Sequence, residues 1–178
     1  MHKDAIKLNE SGGKLFELLS EIILAEIFGE ENIFSQPKCP EMQIAPDIFI
    51  GDEQTPSHVV LVTHATAKNA AGVKVDRNIE ELFEAKTRLS PRPIVVNLIW
   101  HSPIGWSEGH IQRQDEMFDC NWVAYRDCSE YDTTLPVMID TAAEIAGLER
   151  EEAMTVVRAT GIAQAFAKSL RRMIPKAE

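Results

Sequence analysis

The sequence predicts an α/β fold, a central mixed sheet flanked by helices. Three observations predict it. Residues 14–28 form a mostly apolar run with helical spacing. Two β-branched apolar runs, His58–Thr63 and residues 94–100, have the length and composition of buried strands. An amphipathic helical stretch, residues 77–89, lies between those strands. The 178 residues suit one domain of ordinary size. Its expected core is 12–100, and its C-terminal part, 141–173, is mainly helical.

Each element has a local reason. In KLFELLSEIILAEIF, the polar positions Lys14, Glu17 and Glu21 fall three and four apart on one face, and nearly everything else is apolar. Ser11 is the expected cap and Gly29 the stop. Residues 30–43 read as a loop or a short edge element, because Pro37 and Pro40 exclude a central strand. IAPDIFIGDEQTPSHVVLVTHAT then reads as a strand pair. The first strand runs from Ile44 to Ile50 with Pro46-Asp47 near its start, and Gly51 to Pro56 is turn material. Residues 64–76 are small and polar, so a loop is expected there. Ile79, Leu82, Phe83 and Leu89 make the stripe of the next helix, which Pro91 and Pro93 end. Residues 102–113 read as a long loop, and Trp122–Tyr125 as a short strand at the sheet edge. Two helices, 141–153 and 154–173, follow. Trp100, Trp106 and Trp122 are expected in the core or an interface.

Composition narrows the function classes. The net charge of −10 argues against a protein that coats nucleic acid non-specifically. It is compatible with a catalytic site built from carboxylates. Charge is also uneven: residues 101–152 carry 12 acidic and 3 basic side chains, whereas Arg158, Lys168, Arg171, Arg172 and Lys176 crowd the end. These two regions are expected to meet within one molecule or across an interface. The three cysteines are widely spaced and form neither a disulfide framework nor a zinc pattern. Met1–Glu10 is mostly polar and lacks the pattern of a signal peptide, and no apolar run is long enough to span a bilayer. The expectation is a cytoplasmic protein without membrane association. No glycine-rich phosphate loop is present.

The helix–strand–strand–helix–strand order, with Pro46-Asp47 at the first clear strand, resembles the PD-(D/E)xK restriction-endonuclease-like superfamily. The resemblance covers about half the chain, residues 12–100. It implies a restriction-endonuclease-like sheet and a metal-dependent endonuclease acting on double-stranded DNA, in a restriction or defence role. It also implies Mg²⁺, with Mn²⁺ as a substitute, and a homodimer or a subunit of a larger complex. Asp47 matches the aspartate of the PD motif. VVLVTHATAK matches the strand that should end in (D/E)xK, but Thr63 or His64 stands at the acid and Ala65 or Thr66 at the lysine. The segment THATAKNAAGVKVDRNIEELFEAK resembles a variant in which Lys74 replaces the lysine and Glu81 or Glu80 the acid. Glu21 matches a position where the family often carries a further metal-associated glutamate. Asp47, His64, Lys74 and Glu81 are thus the candidate catalytic residues, and Asp47, Glu81, Glu80 and Glu21 the candidate metal ligands.

The chemistry explains the residue types. A divalent ion lowers the pKa of bound water and polarises a phosphate, and Mg²⁺ takes oxygen ligands such as one or two carboxylates. A lysine orients the nucleophile or offsets transition-state charge. An unperturbed histidine titrates near neutrality, so His64 suits a base or a phosphate contact. Simpler uses stand beside these. Asp47 can accept local backbone hydrogen bonds, Glu21 can lie on a solvated face, and Glu81 can pair with Arg77. Lys74 can be a surface lysine and His64 a structural histidine. The missing (D/E)xK pair and the acidity also fit a catalytically inactive nuclease-like subunit with a structural or regulatory role. An unrelated α/β interaction protein is a further alternative.

Overall fold

The computed structural model describes residues 12–38, 40, 46–64, 88–100, 118–124 and 128–174. Helix α1 (Gly13–Phe28) opens it, followed by a single 3₁₀ turn (Glu30–Asn32). Five strands follow: β1 (Ile33–Ser35), β2 (Ile48–Ile50), β3 (His58–His64), β4 (Ile94–Trp100) and β5 (Cys120–Val123). Helices α2 (Cys128–Ile145), α3 (Arg150–Ala159) and α4 (Ile162–Leu170) complete it.

The strands form one mixed sheet in sequence order, β1-β2-β3-β4-β5. The first two pairings are antiparallel, with Ile48 opposite Val60, and the last two are parallel, with Val60 opposite Val96. β3 is therefore the central strand that its apolar, β-branched sequence predicts. Alternation divides its two faces. Ile48, Ile50, Val60, Val96, Leu98, Trp100 and Trp122 join the large core shared with the helices. Phe49, Val59, Val95 and Phe118 form a smaller cluster with Leu61 and Leu89. On the same face as that cluster, Thr63 donates to the Oδ1 of fully buried Asn97 at 2.6 Å.

α1 is the core helix. Leu15, Phe16, Leu18, Leu19, Ile22, Ile23 and Leu24 are all buried, between the sheet and the three C-terminal helices. Phe16 packs on Trp100, which also meets Phe166 of α4 edge-on. The Trp100 indole N–H donates to Ser20 Oγ at 2.7 Å, and that hydroxyl donates to the Phe16 carbonyl at 2.6 Å. A buried indole N–H thus finds its acceptor on the helix that covers it. Gly29 ends α1 at φ +93°, its N–H bonded to the Ala25 carbonyl. Among the described residues, no helix is long and apolar enough to cross a membrane.

Several sequence expectations change. The first strand of the pair begins at Ile48, so Asp47 precedes it. The loop-or-edge segment holds a true edge strand, β1. The last strand is Cys120–Val123, ending two residues before the expected limit. Arg88 and Leu89 lie in a turn, so the helix expected over 77–89 does not reach its expected end; residues 77–87 lie outside the described residues, as do Ser11, Trp106 and 102–113. The two expected C-terminal helices are three. α2 starts much earlier and runs through Pro136, because Leu135, Met138, Ala142 and Ile145 bury one stripe against the core. The true breaks are Ala146–Glu149 and Thr160-Gly161, where Gly161 takes φ +70° after α3.

Replacing Ser20 by alanine should leave the Trp100 N–H without an acceptor in a dry site. Urea unfolding should then show a loss of about 1–3 kcal/mol, whereas a surface control such as Glu144→Ala should change little.

Candidate functional site

A narrow cavity opens where the start of β2 meets α1. It measures about 10 Å³, room for about one water or one small cation. Glu17 and Glu21 of α1, Asp47, the β1 end at Ser35 and Gln36, and Arg150 of α3 line it.

Asp47 reaches this place for a backbone reason. The β2–β3 ladder ends with Ile48 opposite Val60. Beyond that point the Asp47 carboxylate accepts the Val62 amide at 2.7 Å, continuing the pairing with a side chain. The Asp47 carbonyl accepts the Gln36 amide at 2.7 Å, and Gln36 stands at φ +48°, a left-handed conformation uncommon for a side-chain-bearing residue. The local backbone use expected as an alternative for Asp47 is therefore real. It is not the whole account. Asp119 does the same for the Val95 amide at 2.9 Å, but from an exposed position where Arg92 pairs with it. Asp47 is instead half-buried beside another carboxylate. Burial pushes its pKa from 3.8 up to about 6; the Val62 hydrogen bond opposes that rise and the charge of Glu17 adds to it.

The α1 polar stripe supplies the rest. Lys14, Glu17 and Glu21 do not form a solvated face; they are the track on which the α2–α3 turn docks. Lys14 Nζ donates to the carbonyls of Ile145 and Leu148. One turn along, Glu17 lines the cavity, its pKa raised by burial and lowered in part by the Arg150 charge. A further turn along, Glu21 forms an ion pair with Arg150. Glu17 was not singled out from sequence. Its signal was there: it stands one turn from Glu21 on the same stripe. Arg150 had no local signal, because its partner is far away in the chain.

The other candidates separate. His64 does not line the cavity; its imidazole stacks on Phe16 at 5.6 Å and lies against Gly13, and burial lowers its pKa. In the described structure it is a packed histidine. Lys74, Glu80 and Glu81 lie outside the described residues. His58 packs with Phe28 and Trp122 at the opposite end of β3.

Three carboxylates line the cavity, and the Ser35 hydroxyl oxygen, which also lines it, is buried and without a hydrogen-bond partner. Among the described residues, however, no three histidine, cysteine, aspartate or glutamate side chains are grouped to hold a metal ion. Comparison with known protein families, with curated proteins and with solved structures finds no match.

A raised carboxylate pKa means that the folded state holds the Asp47 proton more tightly than the unfolded chain does. Stability should therefore fall as pH rises from 3.8 to about 6, and stay reduced above that. Asp47→Asn keeps an acceptor for the Val62 amide and removes the charge. It should flatten that part of the profile and raise stability at neutral pH by about 1–3 kcal/mol, read from denaturant midpoints across pH.

Proposed function

We propose that this chain is a metal-dependent endonuclease with a restriction-endonuclease-like core, hydrolysing phosphodiester bonds in double-stranded DNA. The observation that carries the reading is the meeting of Asp47 with Glu17 and Glu21 at one ion-sized cavity. Of the order that prompted the resemblance, α1, β2, β3 and β4 are described, with the strands in a mixed sheet; most of the helix expected between β3 and β4 lies outside the described residues. The resting electrostatics point the same way. Both Asp47 and Glu17 are harder to ionise than usual, so the cavity destabilises its own negative charge until a cation balances it.

In this reading Asp47 and Glu21, with Glu80 or Glu81 from the segment after β3, would hold Mg²⁺ or Mn²⁺. The ion would supply an activated water and polarise the scissile phosphate. Asp47 stands just before β2 with its Oδ2 held by the Val62 amide, which would leave its Oδ1 for the ion. The segment leaving β3 at His64 carries Lys74, Glu80 and Glu81, which keep their proposed roles as lysine and additional acids. With a net charge of −10, the chain needs more than a basic surface of its own to hold DNA. A homodimer or a larger complex would supply the remaining contact.

A second reading, the catalytically inactive nuclease-like subunit, is favoured by a specific observation: Arg150 already holds Glu21. The two readings part in one assay. Plasmid DNA is incubated with the protein and Mg²⁺ or Mn²⁺, beside Asp47→Ala and Glu17→Gln. The enzyme reading expects nicked or linear product, with Asp47→Ala slowed by at least about a hundredfold, the order that metal-ligand or transition-state stabilising groups contribute. Intact DNA and RNA substrates, together with no metal binding, would leave the non-catalytic subunit.

A further inference from the structure

We propose that this chain forms a two-fold symmetric homodimer through the outer surface of its helices, the acidic stripe of α2 in each copy meeting the basic stripe of α4 in the other. The interface is independent of the metal chemistry above: a chain without nuclease activity would form it equally.

The two stripes follow from which sides of the helices are buried. α2 buries Leu135, Met138, Ala142 and Ile145, so its opposite side carries Pro136, Val137, Asp140, Ala143 and Glu144, all exposed. α4 buries Ile162, Phe166, Ala167 and Leu170. Its exposed side, with the turn after it, carries Gln164, Ala165, Lys168, Arg171 and Arg172. Asp140 and Glu144 are like charges one turn apart, a spacing that weakens a helix. Glu144 also lies in the last turn of α2, where the helix dipole disfavours a negative charge. Lys168 and Arg172 repeat the like-charge spacing at the end of α4, with the dipole in their favour. Neither pair is answered within the molecule. Arg158 is taken by Glu30 and Arg171 by the Glu26 carbonyl. Among the described residues, no ion pair involves Asp140, Glu144, Lys168 or Arg172.

Placement makes these charges complementary between copies. α2, α3 and α4 all pack on α1, and α2 also touches α4, so the sides turned away from α1 share the outer surface of the helical layer. A two-fold axis through that surface sets α2 of one copy on α4 of the other, and the same contact recurs with the roles exchanged. Asp140 and Glu144 of each copy then face Lys168 and Arg172 of the other. Val137, 44% exposed, supplies an apolar centre, and Ala143 and Ala165 let the helices approach. Net charge selects the occupant. Two copies at −10 repel at a distance, so they associate only where opposite charges come into contact. Residues 153–177 hold five bases and no acid, which gives a second copy such a place. A nucleic acid laid on α4 would instead run into Asp140 and Glu144 beside it, whereas a second copy brings both signs.

The test is sedimentation velocity on the full chain across a concentration series, with two charge-reversed variants. One carries Lys168→Glu and Arg172→Glu, the other Asp140→Lys and Glu144→Lys. The four side chains are exposed, and circular dichroism establishes that each variant is folded. The wild type should sediment as a dimer. Each variant alone should be monomeric, its dissociation constant raised at least about a hundredfold, because like charges then meet at both halves of the interface. Mixing the two variants should restore a dimer, since acid again faces base at both contacts. One chain carrying all four substitutions should also dimerise. A wild type that stays monomeric, a dimer that ignores either reversal, or two folded variants that fail to pair would each overturn the interface. A monomeric wild type that binds fluorescein-labelled duplex DNA, and loses that binding with Lys168→Glu and Arg172→Glu, would assign the basic stripe to nucleic acid instead.

Discussion

Nearly every feature of this molecule depends on the burial of α1. A helix whose Leu15, Phe16, Leu19 and Ile23 all need cover cannot be satisfied by a sheet alone, which protects one side. The sheet covers that side through Val60, Leu98 and Trp100, and α2, α3 and α4 wrap the remainder. The Trp100–Ser20 hydrogen bond sets the register of helix on sheet, because an indole N–H in a dry interior has few places to go. Once that register is set, Glu17 and Glu21 come to lie beside the start of β2.

The acidic cavity follows from two incomplete backbone arrangements. β2 is only three residues long, so β3 outruns it, and the side chain of Asp47 takes over one ladder position. β1 ends just there, with Gln36 turning away in a left-handed conformation. Strand ends are where side chains can be aimed without interrupting pairing, and function gathers at such edges. The half-burial that raises the pKa of Asp47 arises from the same geometry. Asp47 caps its amide from a half-buried position at a cost in stability at neutral pH, whereas Asp119 caps its amide from an exposed one.

The basic end is expected to meet residues 101–152, but the described contacts of Arg158 and Arg171 go instead to α1 and the turn after it. Arg150, Arg158 and Arg171 meet α1 and the turn after it: Arg150 at Glu21, Arg158 at Glu30 and Arg171 at the Glu26 carbonyl. Two of these contacts are ion pairs with glutamates and the third is a hydrogen bond to a backbone carbonyl. Those contacts are largely exposed and individually weak. Their effect is to orient α3 and α4 along α1 rather than to hold the domain together, which the apolar core does.

Much of this was determined by the sequence alone. α1, β3 and β4 were readable because their patterns are local: helical spacing over 14–28, and β-branched apolar runs at 58–63 and 94–100. Asp47 stood out for the same reason, as an acid after proline where a strand begins. The division of the C-terminal part into three helices was less readable, since Pro136 obscured a stripe that only burial makes decisive and Gly161 carried the sole local sign of the second break. The tertiary structure alone decided that Glu17 joins Asp47, that Arg150 holds Glu21 and that His64 packs on Phe16. Each of those pairings joins residues distant in the chain. Periodicity records which side of an element is buried, but not what is buried against it.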